Sequence, residues 1–145
     1  MKQNRKSMEQ FIEFIGNHWI LSTLFIVLLV AYFLTEQRKS GATISNHQLT
    51  QLTNNEKAVI IDLRERDKFK EGHISGAKNI PEADIDQRIT ELKKHKDKPI
   101  ILVCNIGMNA KAVAKRLKLQ GFDNIHRLQG GMGNWQADNL PVVSK

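Results

Sequence analysis

A single cysteine, Cys104, is present in 145 residues, so no intramolecular disulfide can staple this chain. A lone thiol is exposed to damage in an oxidising compartment, which tilts the folded part toward a reducing one. The five histidines (His18, His47, His73, His95 and His126) recur at no spacing typical of a metal site, so neither metal nor cofactor is expected. Internal repeats and low-complexity tracts are absent as well. The formal charge of +7 does not translate into a basic stripe. From Ser40 onward 17 Lys and Arg are scattered among 12 Asp and Glu, and nothing resembles an aromatic-interleaved basic stripe, which argues against nucleic acid as a partner. The length leaves room for one domain of roughly 100 residues and a short extra segment.

That extra segment is at the N-terminus. Twenty-two residues from Phe14 to Thr35 carry no Asp, Glu, Lys or Arg, and Trp19 to Leu34 reads WILSTLFIVLLVAYFL. At about 1.5 Å rise per residue such a run can cross a hydrocarbon core of about 30 Å, with Trp19 and Tyr32 near opposite interfaces. The expectation is a tail over 1–13, a transmembrane helix over 14–35, a linker over 36–42 and a folded domain over 43–143. A buried core helix is the alternative, but a small α/β domain has no place for a helix apolar on every face. A cleaved signal peptide is the other rival, with Ser40-Gly41-Ala42 as the site. Its apolar region is too long, and Thr35 to Lys39 separates that site from it. Positive charges flank both ends (Lys2, Arg5 and Lys6 against Arg38 and Lys39), so the charge rule leaves orientation balanced. The lone cysteine favours a cytoplasmic domain.

Beyond the linker, short β-rich runs alternate with amphipathic stretches, the pattern of a parallel sheet covered by helices. Ala58 to Leu63 (AVIIDL) and Ile100 to Cys104 (IILVC) predict interior strands buried on both faces. Weaker strand signals lie at Thr43-Ile44, Ala77 to Ile80 and Ile125 to Leu128. Helices are predicted over Asn46 to Leu52, Ile85 to Lys93 and Ala110 to Gln120, the last stopped by Gly121. Ligands of open α/β sheets bind beyond the carboxyl ends of the strands. Cys104 ends the strongest strand, and Asn105-Ile106-Gly107-Met108-Asn109 leads into a helix. An open sulfur ringed by backbone amides and a positive helix end is therefore expected there.

Residues Ile61 to Pro81, IDLRERDKFKEGHISGAKNIP, resemble the first signature of the rhodanese family: Asp-x-Arg, Phe, Gly-His-Ile, Gly-Ala and Asn-Ile-Pro. KPIILVCNIG is similar to the family's strand and active-site loop, and GFDNIHRLQGGMGNW to its closing Gly-Gly and Trp signature. The run Lys94 to Pro99, together with the apolar segment, resembles small bacterial inner-membrane members of the family. The resemblance implies a rhodanese-like α/β fold and a sulfurtransferase or sulfur carrier. Cys104 would take a sulfane sulfur as a persulfide and pass it to a thiol or other nucleophilic acceptor. Asn105, Ile106, Gly107, Met108, Asn109 and Ala110 would cradle the transferred group, with Asp62 and Arg64 ordering the loops beside it.

One departure bears on substrate. The family loop commonly closes with Arg and Ser, where this chain has Asn109 and Ala110, so the charged fork that would grip thiosulfate is missing. A phosphatase reading fails on the same absence. Lys111 compensates only if it turns away from solvent. His73, Phe69, Phe122 and Trp135 read as structural. Two other functions stand beside sulfur transfer: a non-catalytic docking module for a membrane or cytosolic protein, and a redox-sensing thiol, which lacks a second cysteine to resolve it.

Overall fold

The computed structural model describes residue 16 and residues 18–144. The expected tail over 1–13 and the first residues of the expected span lie outside them. The chain divides into two units with the boundary between Gln37 and Arg38.

The first unit contributes helix α1, Trp19–Lys39, of 21 residues. Its apolar side chains are exposed all round, from Trp19 and Ile20 through Phe25 and Leu28 to Phe33 and Leu34. Among the described residues no helix is long and apolar enough to cross a membrane. The apolar part of α1, Trp19 to Leu34, covers about 24 Å, short of a core of about 30 Å. The helix also continues to Lys39, through most of the expected linker, because Thr35 to Lys39 contains no Gly or Pro to stop it.

The second unit is a five-stranded, all-parallel sheet. Its strands are β1 (Ala42–Ile44), β2 (Val59–Asp62), β3 (Lys78–Asn79), β4 (Ile100–Val103) and β5 (Ile125–Leu128), in the order β1-β5-β4-β2-β3. Helices α2 (Asn46–Asn55), α3 (Arg66–Glu71), α4 (Ile89–Lys93) and α5 (Asn109–Leu119) connect them, and α6 (Gly131–Ala137) follows β5. The predicted helix over Ile85 to Lys93 is shorter, preceded by a 3-10 turn at Glu82–Asp84. Two helices carry too little periodicity to be predicted. In α3 only Phe69 is buried, and α6 begins with glycines, yet its Met132 and Trp135 are core residues. Tertiary packing holds both.

Alternation along β4 explains the two-layer core. Ile100, Leu102 and Cys104 face one side with Val113, Ala114 and Leu117 of α5, while Ile101 and Val103 face the other with Leu49, Met132 and Trp135. His73 closes the C-terminal segment onto the domain through paired backbone bonds with Val143 (2.9 Å each). Its Nδ1 donates to the Phe69 carbonyl at 2.8 Å, and its ring stacks on Phe69 with centroids 3.7 Å apart. The His73, Phe69, Phe122 and Trp135 side chains are all buried.

Leu102 is 0 % exposed at the centre of the sheet. Leu102→Ala should cost about 3 kcal/mol of stability through lost burial and the cavity left behind, read as a lower midpoint in urea unfolding.

Candidate active site

From β2 the chain moves outward to β3, and from β4 it moves the opposite way to β5. The loops leaving β2 and β4 therefore part, and the crevice between them is where ligands of open α/β sheets bind. A cavity of about 890 Å³ lies there, lined by Leu63, Arg64 and Glu65 beyond β2 and by Cys104 and Asn105 beyond β4.

Cys104 follows the last residue of β4. Its side chain is 5 % exposed, not open as expected, and reaches solvent through the cavity it lines. The expected ring of amides reduces, among the described residues, to Gly107, whose N–H donates to Sγ at 3.1 Å. Gly107 turns that amide inward with φ +89, a left-handed conformation that side chains disfavour. The other side of the loop is clamped by α6. Met132 N–H donates to the Cys104 carbonyl and Gly133 N–H to the Asn105 carbonyl, both at 2.9 Å. Gly131, at φ +58, lies so close beneath that a Cβ would collide with the Cys104 carbonyl oxygen.

The loop residues separate. Asn105 and Asn109 line the cavity with Cys104; Ile106, Gly107 and Met108 line a second depression of about 400 Å³ with Thr43, Arg127 and Gly130. Ala110, in the first turn of α5, is fully buried on the core side of that helix and does not line the cavity. Lys111 joins the second depression, not the cavity. Asp62 and Arg64 form a buried ion pair at 2.7 Å, and Arg64 also donates to the Gly72 carbonyl at 2.8 Å. Arg64 lines the cavity, and Asp62, 1 % exposed, anchors it from beneath.

The cavity's cations are compensated. Besides the Arg64–Asp62 pair, Lys68 meets Glu71 at 2.9 Å and Arg116 meets Asp86 at 2.8 Å. Glu65 and Glu82 add negative charge to the same wall. Among the described residues no His, Cys, Asp and Glu side chains gather in threes that could hold a metal ion.

The sequence profile of the Rhodanese-like domain matches residues 45–138. The chain belongs to the rhodanese-like family. It is 39% identical over 140 residues to the uncharacterized protein YibN of Escherichia coli K12, covering 94% of this chain and 98% of that one. The thiosulfate sulfurtransferase GlpE of Shewanella oneidensis is 33% identical over 96 residues, 66% of this chain and 93% of that one. Among solved structures, a rhodanese-related protein from Thermoplasma volcanium superposes with a TM-score of 0.62 at 25% identity, covering 72% of this chain and 99% of that one.

Within this rhodanese-like domain, sequence reasoning missed Arg116, Glu82 and Gly131. Arg116 lies two helical turns after Asn109, so its place on the same face of α5 was available from spacing alone. Gly131 belongs to a motif already noticed, but nothing in a Gly-Gly pair says which carbonyl lies against it. Gly131→Ala should displace the Cys104 carbonyl, lower stability by about 2 kcal/mol and slow Cys104 alkylation, measured by thermal melting and by iodoacetamide labelling.

Proposed function

We propose that the chain is a membrane-anchored sulfurtransferase or sulfur carrier working through a persulfide on Cys104. The observation that carries this reading is the Sγ of Cys104, held by the Gly107 amide at the floor of a cavity at the sheet's switch point. A thiolate there gains from that amide and from the positive N-terminal end of α5, whose first residue, Asn109, lines the same cavity. The thiolate attacks the outer sulfur of a sulfane-sulfur donor. A new S–S bond forms, the donor's own bond to that sulfur breaks, and the donor leaves with the electron pair. A thiol or other nucleophilic acceptor then attacks the outer persulfide sulfur, and the Cys104 thiolate leaves restored. GlpE's activity as a thiosulfate sulfurtransferase supports the reaction class.

The membrane anchor is part of the same proposal. The apolar surface of α1 is exposed on all sides, and burying it in lipid removes it from water. The uncharged run in the sequence, residues 14–35, is 22 residues long, enough for a span. A bacterial inner membrane with the domain in the cytoplasm suits the unpaired Cys104.

A second reading, a docking module for a membrane or cytosolic protein, is favoured by the exposed Ile106 (63 %) and Met108 (72 %), which line the second depression. It requires that Cys104→Ser leave the cellular role and partners intact.

Mass spectrometry of the full chain after incubation with sulfane-sulfur donors should show one added sulfur on Cys104 and none on Cys104→Ser. No added sulfur, with an authentic rhodanese labelled in parallel, overturns the transfer reading. Asn109→Arg should raise thiosulfate turnover about tenfold by returning a charged donor to the cavity wall, measured as the release of sulfite.

A further inference from the structure

Arg127 is a half-buried cation with no carboxylate partner among the described residues. Arg127 is on β5, paired in register with Leu102 of β4 and Thr43 of β1. Register partners on parallel strands share a face, and Cys104, just past the end of β4, packs in the same core layer as Leu102. Arg127 and Cys104 are therefore on the same side of the sheet, one strand over. Arg127 donates to the Gly41 carbonyl at 3.3 Å and to Thr43 Oγ1 at 3.0 Å, both neutral acceptors. Its Nε is buried and has no hydrogen-bond partner among the described residues. Gly107 links the two groups, since its amide reaches Sγ and its backbone lines the second depression with Arg127.

We propose that Arg127 is a positioning residue for Cys104, supplying from behind the Gly107 turn the positive charge that the loop lacks at Asn109. This inference rests on the reading of Cys104 as a working nucleophile. Charge on the cavity side does not do the same work. Arg64, Lys68 and Arg116 are each paired with an acid, while Glu65 and Glu82 disfavour a second negative charge nearby. Lys111 of α5 faces the same depression as Arg127, but on an exposed side chain in water its field is screened. Burial pushes the Arg127 pKa down, and negative charge at Cys104 opposes that shift. A guanidinium that stays protonated at all working pH values fixes a positive charge on that side of the Gly107 turn.

Cys104 is the sole cysteine, so alkylation of the full chain by iodoacetamide reads it alone. The thiolate sulfur displaces iodide and forms an S–C bond, and the rate follows the fraction of thiolate. In Arg127→Gln the rate near neutral pH should fall about fivefold while the plateau at high pH is unchanged, and Arg127→Lys should retain most of the wild-type rate. A pH profile for Arg127→Gln that overlays wild type overturns the proposal. So does a fall at every pH including the plateau, or a Lys variant as slow as Gln, because either marks a merely structural role. If Arg127→Gln does not fold, the wild-type chain decides. The ¹⁵N resonance of Arg127 Nε should titrate in step with Cys104 alkylation and lose that step in Cys104→Ser; a flat titration overturns the proposal. None of these measurements involves sulfur transfer. A Cys104 that alkylates as stated but never gains sulfur refutes the proposed function and leaves the role of Arg127 standing.

Discussion

Two backbone hydrogen bonds hold the loop after β4 in place, and the rest of the site depends on them. Met132 and Gly133 at the start of α6 donate to the carbonyls of Cys104 and Asn105, over a Gly131 that has no room for a side chain. With its carbonyls engaged on that side, the loop can turn the Gly107 amide back onto Sγ. A short helix of seven residues, marginal by itself, thus holds the loop that carries the Cys104 sulfur. Its hold comes from Met132 and Trp135 buried against the far face of the sheet.

Electrostatics around the sulfur follow from where charges have partners. On the cavity side each cation is tied to a carboxylate, so little net positive field reaches a ligand there. On the opposite side of the Gly107 turn, Arg127 is held by neutral oxygens. Fixed positive charge without a carboxylate partner is therefore found behind the Gly107 turn and not on the cavity wall. A cavity of about 890 Å³ is also in the size range of sites for small molecules or chain segments larger than a compact inorganic anion.

Much of the fold was legible because strand and helix periods leave strong marks. IILVC announces a central strand, and the alternation of Ile100, Leu102 and Cys104 against Ile101 and Val103 is what two covered faces require. Where elements lean on partners far away in sequence, the marks fade. RDKFKE offers one apolar residue and GMGNWQA offers glycines, and neither predicts a helix. The apolar stretch before the domain was plain, and its helix continues to Lys39, past the expected end at residue 35.

The sequence by itself determined the family, the parallel α/β architecture and the identity of the one thiol, since periodicity and ordered motifs are local properties of the chain. Tertiary structure decided how the loop divides: Asn105 and Asn109 turn toward the cavity, Ile106, Gly107 and Met108 toward another depression, and Ala110 into the core. It also decided which cations are compensated and brought Arg127, 23 positions beyond Cys104, onto the same sheet face. Those outcomes depend on strand register and helix packing, which join residues distant along the chain and so leave no trace in local pattern.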